Sequence, residues 1–590
     1  MKLTDYLIDA LVEAGVKVVF GVTGGSIVHP LHSAEKNDLL KVIYTHHEQA
    51  AAFAADAVAH FPGQIGACFV TTGPGGTNAI TGLTSAWLDS VPVIFISGQA
   101  RSEHLTGPNT VRQIGSQHID IISVVKPLTK FAKTISNPLE ARKIVEEALY
   151  QCKSGRPGPV WIDIPLDLQW ADIDISTQEP FIKEGQSIAS DPNSLKFLID
   201  ELKVAKNPLF ILGFGVKLSG LGNQFLEILE GIKVPCALTW NTLDMLDAQS
   251  PLNLGLLGTA GSREANLAAH HADLIVAFGS HLSNQLIGNN PEEFAPSAKV
   301  FVIDIDAQEL VRLPDRFFKI NEDLKTFLPA LDDALKKSKF ILNSLAWKDA
   351  CAVFKSLRNF GINISRGIGE GYVGQYYFYN QLSGVFKEND SVVVDGGGNT
   401  LFSALNSLRL KHDQHIVCGA GIGCMGSGLP HAIGASLALP GSKVYCLIGD
   451  GSMQFNIQEL ATIELLNLPI KIIIINNGGY KAIMDTQDSF FDRRFGVDQS
   501  TGLSFPSYAK IADAYSVPYF KIDSDYQVDG VLTEMSTSLN PCICEVFVDP
   551  GTPLLPRGGF VKSADDSVMR LPLHDMYPIL PREIKAKFKT

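Results

Sequence analysis

Short runs of β-branched and other aliphatic residues recur along the chain, with segments of helical periodicity between them. The runs are VKVVFGV, IGACFVTT, VPVIFIS, VWIDIP, PLFILG, ADLIVAFG, AKVFVID, SVVVDGG, KVYCLIGD and IKIIIINN. Such alternation is typical of parallel sheets that are covered by helices on both faces. We therefore predict an α/β fold built from doubly wound parallel sheets.

The strand-like runs fall into three groups, and 590 residues exceed what one hydrophobic core usually supports. We expect three doubly wound parallel-sheet domains, at 1–172, 194–338 and 374–550, and an extended C-terminal arm at 551–590. A polar linker is expected between the first two domains. A polar helical segment, SLAWKDACAVFKSLRN, and a loop near 368–371 connect the last two. The arm is rich in proline and shows no strand pattern.

Composition excludes several classes of protein. The chain has 45% apolar and 19% charged residues, which is typical of a compact globular protein. A formal charge of −13 argues against nucleic acid as a partner. No apolar run is long enough to span a membrane, and the N-terminus lacks the pattern of a signal peptide. Nine scattered cysteines without a C-x-x-C motif favour reduced thiols and a cytoplasmic location.

Acidic and amide side chains follow two apolar strands in the last third of the chain. YCLIGDGS delivers Asp450 to the start of a helix, and IKIIIINNGGY ends in Asn476 and Asn477. Carboxylate, amide and carbonyl oxygens are the ligands of a hard divalent cation, and a helix start favours phosphate. A GDG sequence alone is usually an ordinary turn. The second strand and its Asn-Asn end favour a diphosphate held through a metal ion.

Glu48 stands where YTHHEQAAAFAADAVAH passes from a strand to an alanine-rich helix. A glutamate in the first turn of a helix can simply be a solvated acid that the helix dipole favours. The small apolar residues that follow it suggest instead a buried carboxylate suited to sharing a proton.

The pattern GDG-x24-NN resembles the signature of the thiamine-diphosphate-dependent enzymes. Over roughly residues 1–550, the chain is similar to acetolactate synthase large subunits, with FGVTGGS, HHEQAAAFAADA, FVTTGPGGTNAITGL, VPVIFISGQ and GRPGPVWIDIP in the same order and spacing. The resemblance implies that one glutamate, here Glu48, promotes formation of the reactive cofactor while the cofactor carries the chemistry.

The resemblance also implies roles for individual residues. The catalytic residues would be Glu48 and Gln117. Mg²⁺ would be held by Asp450, Asn477 and the carbonyl of Gly479. The cofactor would contact Pro74, Asn78, Gly398, Asn399, Gly423, Met425, Gly449, Gly451 and Ser452, with Met425 bending it. Gly25, His118, Ile483 and Thr486 would line the substrate pocket. Met425 could otherwise be a gap-filling core residue, and His118 a surface histidine.

Several positions depart from the acetolactate synthase pattern. In AFGSHLSNQLIG, the arginines and aspartates that hold FAD in that family are absent, which argues against FAD. Thr486 replaces a specificity tryptophan and so removes a large rigid wall, and His118 replaces an acid. Gly398 and Asn399 replace a Gln-His pair. The long arm resembles the tails of acetolactate-synthase-like proteins of surface-polysaccharide pathways.

The leading hypothesis is a carboligase that decarboxylates a 2-oxo acid, pyruvate in the first instance, and transfers the two-carbon unit to a second 2-oxo acid. One alternative is transfer to a nucleotide-linked keto-sugar. Another is a decarboxylase without ligation, which the neighbouring His46 and His47 keep open, and a third is a scaffold with an inactive cofactor site. By resemblance, the cofactor lies between two chains, so a homodimer or homotetramer is expected.

Overall fold

The computed structural model describes residues 1–105, 111–183, 191–366, 371–419, 421–491, 493–562 and 568–588. These residues contain three six-stranded sheets and one two-stranded sheet. Every strand pair in the three large sheets is parallel. The predicted α/β class with three doubly wound parallel sheets is confirmed. None of the described helices is long and apolar enough to cross a membrane.

The first sheet has the strand order β2-β1-β3-β4-β6-β5. Its strands are β1 Val18–Gly21, β2 Lys41–Tyr44, β3 Gly66–Val70, β4 Val93–Gln99, β5 Phe131–Thr134 and β6 Val160–Pro165. Its helices are α1 Leu3–Glu13, α2 Val28–Glu35, α3 Glu48–Ala59, α4 Pro74–Asn78, α5 Ile80–Asp89, α6 Ile121–Val125, α7 Ala141–Lys153 and α8 Leu166–Gln169.

The central sheet has the order β12-β11-β10-β7-β8-β9. Its strands are β7 Pro208–Leu212, β8 Cys236–Leu238, β9 Asn253–Leu256, β10 Leu274–Phe278, β11 Lys299–Asp304 and β12 Phe318–Asn321. Its helices are α9 Pro192–Val204, α10 Phe214–Leu218, α11 Gly222–Ile232, α12 Arg263–His271, α13 Asn284–Ile287, α14 Ala307–Val311 and α15 Leu324–Ser338. The connecting segment forms α16, Leu345–Ser356, as its pattern predicts.

The third sheet, β14-β13-β15-β16-β18-β17, repeats the order of the first. Its strands are β13 Ser391–Val394, β14 His415–Cys418, β15 Val444–Gly449, β16 Ile470–Asn476, β17 Tyr519–Ile522 and β18 Cys542–Phe547. Its helices are α17 Gln375–Val385, α18 Gly398–Ser407, α19 Gly428–Ala438, α20 Leu460–Leu465, α21 Lys481–Phe490, α22 Tyr508–Ala514 and α23 Val528–Thr537. The repeated order agrees with the similarity of the two sequence groups.

Small residues bring the first and third sheets together. The alanine-rich helix α3 packs on α19, and the side chains of both helices belong to one hydrophobic core. A methyl group added at Gly434 of α19 would overlap the carbonyl oxygen of Ala54, and one at Gly82 of α5 would overlap Ala52. The helices can therefore approach to backbone contact only because these positions carry little or no side chain.

The arm differs from its prediction. Where the sequence shows no strand pattern, β19 (Gly559–Lys562) and β20 (Val568–Leu571) form an antiparallel hairpin, and α24 (Arg582–Ala586) follows. The arm packs against α12, where the buried Arg263 donates hydrogen bonds to the carbonyls of Met576 and Pro578 at 3.1 and 2.8 Å.

The expected domain boundaries stay predictions. Residues 184–190 of the linker and 367–370 of the second connection lie outside the described residues. The helix α9 begins at Pro192, slightly before the expected start of the second domain.

A buried ion pair joins the central and third sheets. Lys217 and Asp244 form a salt bridge with side chains only 6% and 3% exposed, and Asp244 also accepts a hydrogen bond from the Ile416 amide at 3.0 Å. Removing one partner would leave the other charge buried without its counter-ion.

We therefore expect Asp244→Ala to lower the free energy of unfolding by about 3–5 kcal/mol. A matched control is Asp333→Ala, which removes the exposed salt bridge to Lys337 and should change stability by about 0.5 kcal/mol or less. Urea unfolding measures both. Equal midpoints for the two variants would show that the buried pair does not hold these sheets together.

Candidate active site

Asp450 lies directly after β15, at the carboxyl edge of the third sheet. Its Oδ1 accepts a hydrogen bond from the Gly451 amide at 2.8 Å, and its Oδ2 accepts one from the Gly479 amide at 2.9 Å. Burial raises the pKa of Asp450 to about 7, against the lowering effect of the glycine amides. A bound cation would stabilise the ionised carboxylate that burial disfavours.

The side chain of Asn477 supplies a second oxygen at this edge. Its Oδ1 is buried and has no hydrogen-bond partner among the described residues. The Gly479 carbonyl accepts one hydrogen bond, from the Lys481 amide at 3.0 Å, and retains a second lone pair. A buried unpartnered amide oxygen near a carboxylate fits a hard divalent cation such as Mg²⁺.

Two glycines allow the chain to pack closely here. A methyl group at Gly451 would overlap the Tyr480 ring. Gly479 has φ of +147°, and a methyl group there would overlap the Val497 carbonyl oxygen. Larger residues are therefore excluded on steric grounds at both positions.

Three loops meet beside Asp450. Asp395, which follows β13, is buried and accepts hydrogen bonds from the amides of Gly397 at 3.0 Å and Gly428 at 2.9 Å. A methyl group at Gly397 would lie 2.5 Å from the Ser452 hydroxyl and 3.4 Å from Met425 Cγ. The structure thus brings the loops that carry the predicted residues Asn399, Met425 and Ser452 together.

Asp395 is a residue that the sequence reasoning missed. Its signal is an acid between a buried strand and a glycine run, in the segment DGGGNT. Burial raises its pKa, although the amide of Gly428 and the hydroxyl of Ser452 lower it. Its role is to fix the loops that carry Asn399, Met425, Ser452 and Asp450. Together these loops form a cradle.

The cradle suits an anion. Gly398 and Asn399 are the first two residues of α18, so their amides belong to the first turn, which lacks partners within the helix. Gly449 ends β15, and Ser452 begins a short 3₁₀ helix. Amides at a helix start and a metal ion together can hold a diphosphate. Gly423, with φ of +64°, and the partly exposed Met425 lie on the loop before α19 rather than in the core.

Glu48 begins α3, at the carboxyl edge of the first sheet. Its Oε2 accepts a hydrogen bond from Asn78 Nδ2 at 3.0 Å, and Asn78 and Pro74 are the two ends of α4. Glu48 is only partly buried in the single chain, whereas its sequence context suggests a buried carboxylate. His47 caps the helix, because its Nδ1 accepts a hydrogen bond from the Gln49 amide at 3.1 Å.

Three further predicted residues lie near this edge. Gln117 has φ of +65°, and its carbonyl accepts a hydrogen bond from Thr72 Oγ1 at 3.1 Å. Gly25 is exposed in the turn whose Ser26 hydroxyl accepts a hydrogen bond from the Thr72 amide at 2.8 Å. His118 is partly buried, and its Nδ1 has no hydrogen-bond partner in the described part of the chain.

A cavity of 330 Å³ opens beside the cradle. It is lined by three predicted residues, Gly398, Asn399 and Thr486. The remaining lining was missed from sequence: Phe402, Ala482, Asp485, Ser489, Phe490, Leu554, Arg557 and Gly558. Ile483 is 50% exposed and is not part of the described lining. The arm therefore contributes directly to this cavity.

A second cavity, of 920 Å³, lies at the carboxyl edge of the central sheet. Its lining includes Ser280 and His281 of the segment AFGSHLSNQLIG, Asp304 at the end of β11, and Arg156 from the first sheet. Arg156 forms salt bridges with Asp306 and Glu309 at 3.1 and 2.7 Å. A small molecule would fit in a cavity of this size.

Glu48 and the Asp450 cradle remain separate within one chain. No hydrogen bond between described residues joins Glu48 or Asn78 to Asp450 or Asn477. The nearest connections run through their neighbours, from the His46 amide to Glu459 at 3.0 Å and from Asn456 to Gln49 at 3.1 Å.

We expect Gly451→Ala to weaken binding of Mg²⁺ and thiamine diphosphate, the cofactor that the resemblance implies, at least 10-fold. The added methyl group overlaps the Tyr480 ring and pushes it or the loop away from the cradle. Gly530→Ala, in α23 with open space around the position, should leave binding unchanged. Quenching of intrinsic fluorescence during cofactor titration measures both, and equal affinities would remove Gly451 from the cradle.

The chain matches three family models: the thiamine pyrophosphate enzyme N-terminal TPP binding domain over 1–124, the central domain over 195–331 and the C-terminal TPP binding domain over 395–546.

Similar proteins include the acetolactate synthase large subunit of Lactococcus lactis, 31% identical over 94% of this chain and 93% of the relative. The acetolactate synthase isozyme 2 large subunit of Escherichia coli is 31% identical over 95% and 98%. The probable acetolactate synthase large subunit of Methanocaldococcus jannaschii is 32% identical over 95% and 94%. The chain therefore belongs to the thiamine-pyrophosphate-dependent enzymes and is similar to acetolactate synthase large subunits.

Proposed function

We propose that the protein is a carboligase that uses thiamine diphosphate and Mg²⁺. It decarboxylates a 2-oxo acid, with pyruvate as the first candidate, and transfers the two-carbon unit to a second carbonyl compound. The observation that carries the proposal is the buried Asn477 Oδ1 near Asp450, which has no hydrogen-bond partner among the described residues and lies in a glycine-rich cradle. The similarity to acetolactate synthases supports the reaction class.

In this proposal, each loop holds one part of the cofactor. Asp450, Asn477 and the Gly479 carbonyl would hold Mg²⁺. Gly398, Asn399, Gly449, Gly451 and Ser452 would hold the diphosphate, and Gly423, Met425, Pro74 and Asn78 would contact the rest of the cofactor. When bound, thiamine diphosphate supplies a reactive carbon and an electron sink that allow the 2-oxo acid to lose CO₂.

Glu48 has the proton-transfer role. A carboxylate at the start of α3 can share a proton with a ring nitrogen of the cofactor, and the hydrogen bond from Asn78 fixes its orientation. Closure of the site by a second chain would bury Glu48 further. Gln117, at the same sheet edge, would position the substrate.

We expect Glu48→Gln to lower the rate of pyruvate consumption about 100-fold or more, because an amide cannot exchange a proton with the cofactor. Cofactor affinity should change little, and the exposed control Glu13→Gln should behave as the unchanged protein. The assay combines pyruvate, thiamine diphosphate and Mg²⁺ and measures CO₂ and acetolactate. Unchanged turnover in Glu48→Gln would refute the proposal, as would a protein that neither binds nor needs the cofactor.

The cavity beside the cradle favours one second candidate for the acceptor. Thr486 stands where acetolactate synthases have a tryptophan, and its hydroxyl donates to the Ala482 carbonyl at 3.0 Å. Arg557 of the arm lines the same cavity and can pair with a carboxylate or a phosphate. The space and the arginine support a nucleotide-linked keto-sugar as the alternative to a second 2-oxo acid.

The same assay separates the acceptors. Acetolactate formation identifies a 2-oxo acid. Slow CO₂ release without acetolactate, followed by a new product when a nucleotide-linked keto-sugar is added, identifies the sugar. CO₂ release with acetaldehyde and no ligated product under either condition would indicate the non-ligating decarboxylase. For that alternative the His46 and His47 pair offers less support, because the His47 ring caps α3.

We propose that two chains complete each site and that the protein is at least a homodimer. The supporting observation is that Glu48 and Asp450 lie at edges of different sheets and that no hydrogen bond between described residues joins Glu48 or Asn78 to Asp450 or Asn477. In this arrangement, Glu48 of one chain faces the cradle of its partner. His118, Gly25, Ile483 and Thr486 would then surround the substrate. We further propose that FAD is not used. We also propose that the protein is cytoplasmic, since its nine cysteines are free.

Complementation tests the shared site. Glu48→Gln and Asp450→Ala are each expected to be inactive, yet a co-expressed mixture should recover about a quarter of the activity. Half of the randomly formed dimers are mixed, and each mixed dimer has one of its two sites intact. Light scattering on the same samples reports the oligomer. A mixture that stays inactive although mixed dimers form would place both residues in a site within one chain.

A further inference from the structure

A group of ionisable side chains is buried in the seam between the first and third sheets. Asp56 and His60 are one helical turn apart on α3, Asp89 ends α5, and His431 lies on α19. The side chains of Asp56, His60 and His431 are 0% exposed, and that of Asp89 is 7% exposed. These residues take no part in the proposed cofactor site.

Each carboxylate in this group has one oxygen held and one oxygen without a partner. Asp56 Oδ2 accepts hydrogen bonds from Ser85 Oγ at 3.0 Å and His431 Nε2 at 2.9 Å. Asp89 Oδ1 accepts one from the Gly421 amide at 3.0 Å. Asp56 Oδ1 and Asp89 Oδ2 are buried without a hydrogen-bond partner among the described residues.

Between the carboxylates lies the His60 ring, and both of its nitrogens also lack a hydrogen-bond partner in the described part of the chain. The Nε2 atom is 3.8 Å from Asp56 Oδ2 and 3.7 Å from Asp89 Oδ2. These distances are too long for hydrogen bonds. Three buried polar groups that lack bonding partners in this way cost free energy unless another group binds to them.

We propose that Asp56, His60 and Asp89 form a binding site for a divalent transition-metal ion, with Zn²⁺ as the best match to the ligands. One ligand atom from each residue lies within 4.8 Å of the other two. Two ligands of a tetrahedral zinc ion are separated by about 3.4 Å, given bond lengths of roughly 2.0–2.1 Å. A small inward movement of the side chains would therefore complete three metal bonds.

Charge also favours a cation. Burial lowers the pKa of His60 to about 4, so its imidazole is neutral and can offer a lone pair. Burial and the neighbouring Asp56 raise the pKa of Asp89 well above its usual range. Two ionised carboxylates and a neutral imidazole balance the two charges of the metal ion, so the burial penalty is offset.

The surrounding hydrogen-bond donors are arranged as in the outer coordination sphere of a metal site. Ser85, His431 and the Gly421 amide donate hydrogen bonds to the two carboxylates, and such partners orient metal ligands in known sites. Asp89 also lines the 920 Å³ cavity, which offers a path for the ion. The ion would have a structural role, since α3 and α5 supply the ligands and the third sheet supplies His431 and Gly421.

Metal analysis of the full chain tests this proposal. The protein is stripped with a chelator, incubated with Zn²⁺, desalted and analysed for zinc. We expect one tightly held zinc ion per chain in the unchanged protein and in Asp450→Ala, and loss of that ion in His60→Gln and Asp89→Asn. The exposed control His412→Gln should retain it. Co²⁺ in place of Zn²⁺ should give a visible spectrum of four-coordinate cobalt that only His60→Gln and Asp89→Asn lose.

Thermal unfolding provides a second measurement of metal binding in case a variant folds poorly. Without metal, Asp89→Asn should be at least as stable as the unchanged protein, because it removes a buried acid. Zn²⁺ should raise the Tm of the unchanged protein and not that of Asp89→Asn. Zinc that is absent from the unchanged protein, or is lost in Asp450→Ala and retained in His60→Gln, would overturn the proposal. Neither result would bear on the carboligase proposal, which the pyruvate assay tests separately.

Discussion

Backbone contact between α3 and α19 is the constraint on which the rest of the structure depends. Gly434 of α19 lies against the Ala54 carbonyl of α3, so these two helices meet without an intervening large side chain. Interiors packed this closely do not deform continuously. The seam therefore fixes Glu48 at one end of α3 relative to the loop before α19, which carries Met425. Any polar group buried between the first and third sheets must also find its bonding partners among its immediate neighbours. The buried residues around His60 are such groups.

The first and third sheets share one strand order, and each has its candidate residues at the carboxyl edge. Open α/β sheets place ligands at this edge, because the loops and helix starts that follow parallel strands converge there. Two similar sheets in one chain therefore offer two different half-sites. One supplies an acid beside an amide, and the other supplies a cradle for a metal ion and a diphosphate. A pair of chains related by twofold symmetry can unite both halves twice.

The apolar runs in the sequence correspond to ten interior strands, but they include neither the interior strands β8 and β18 nor any edge strand. The run of isoleucines in β16 is buried throughout, so its apolar pattern is unambiguous. The strand β2, at a sheet edge, is exposed at two of its four residues, and β5 has no fully buried residue. Hydrophobic periodicity is weak in such strands. The hairpin of the arm was missed for a similar reason, since it lies outside the three large sheets.

The candidate site likewise contains some residues that sequence patterns could reveal and others that they could not. Asp450 and Asn477 could be found because short motifs place them at the ends of neighbouring strands. Asp395 could have been found by the same reasoning. Arg557 and Phe402 could not, because only the fold brings the arm and α18 to one cavity. The group around His60 combines both cases. Asp56 and His60 stand four residues apart on a helix, which is a readable pattern, but Asp89 joins them only through the packing of α5.

The cavity that Thr486 and Arg557 line, the proposed acceptor site, favours discrimination by size more than by hydrogen bonding. The hydroxyls of Thr486 and Ser489 both donate to carbonyls of their own helix, and Asp485 pairs with Lys481. These groups are therefore largely satisfied before a substrate arrives. A cavity without a tryptophan side chain in its wall admits a larger molecule. Donors that already form hydrogen bonds within the protein contribute little to discrimination between substrates. Arg557 contributes a cationic side chain to the lining, and a guanidinium pairs equally well with the carboxylate of a 2-oxo acid and with a phosphate. The choice between the two acceptors therefore depends on the space that Thr486 leaves and on how the arm closes over it.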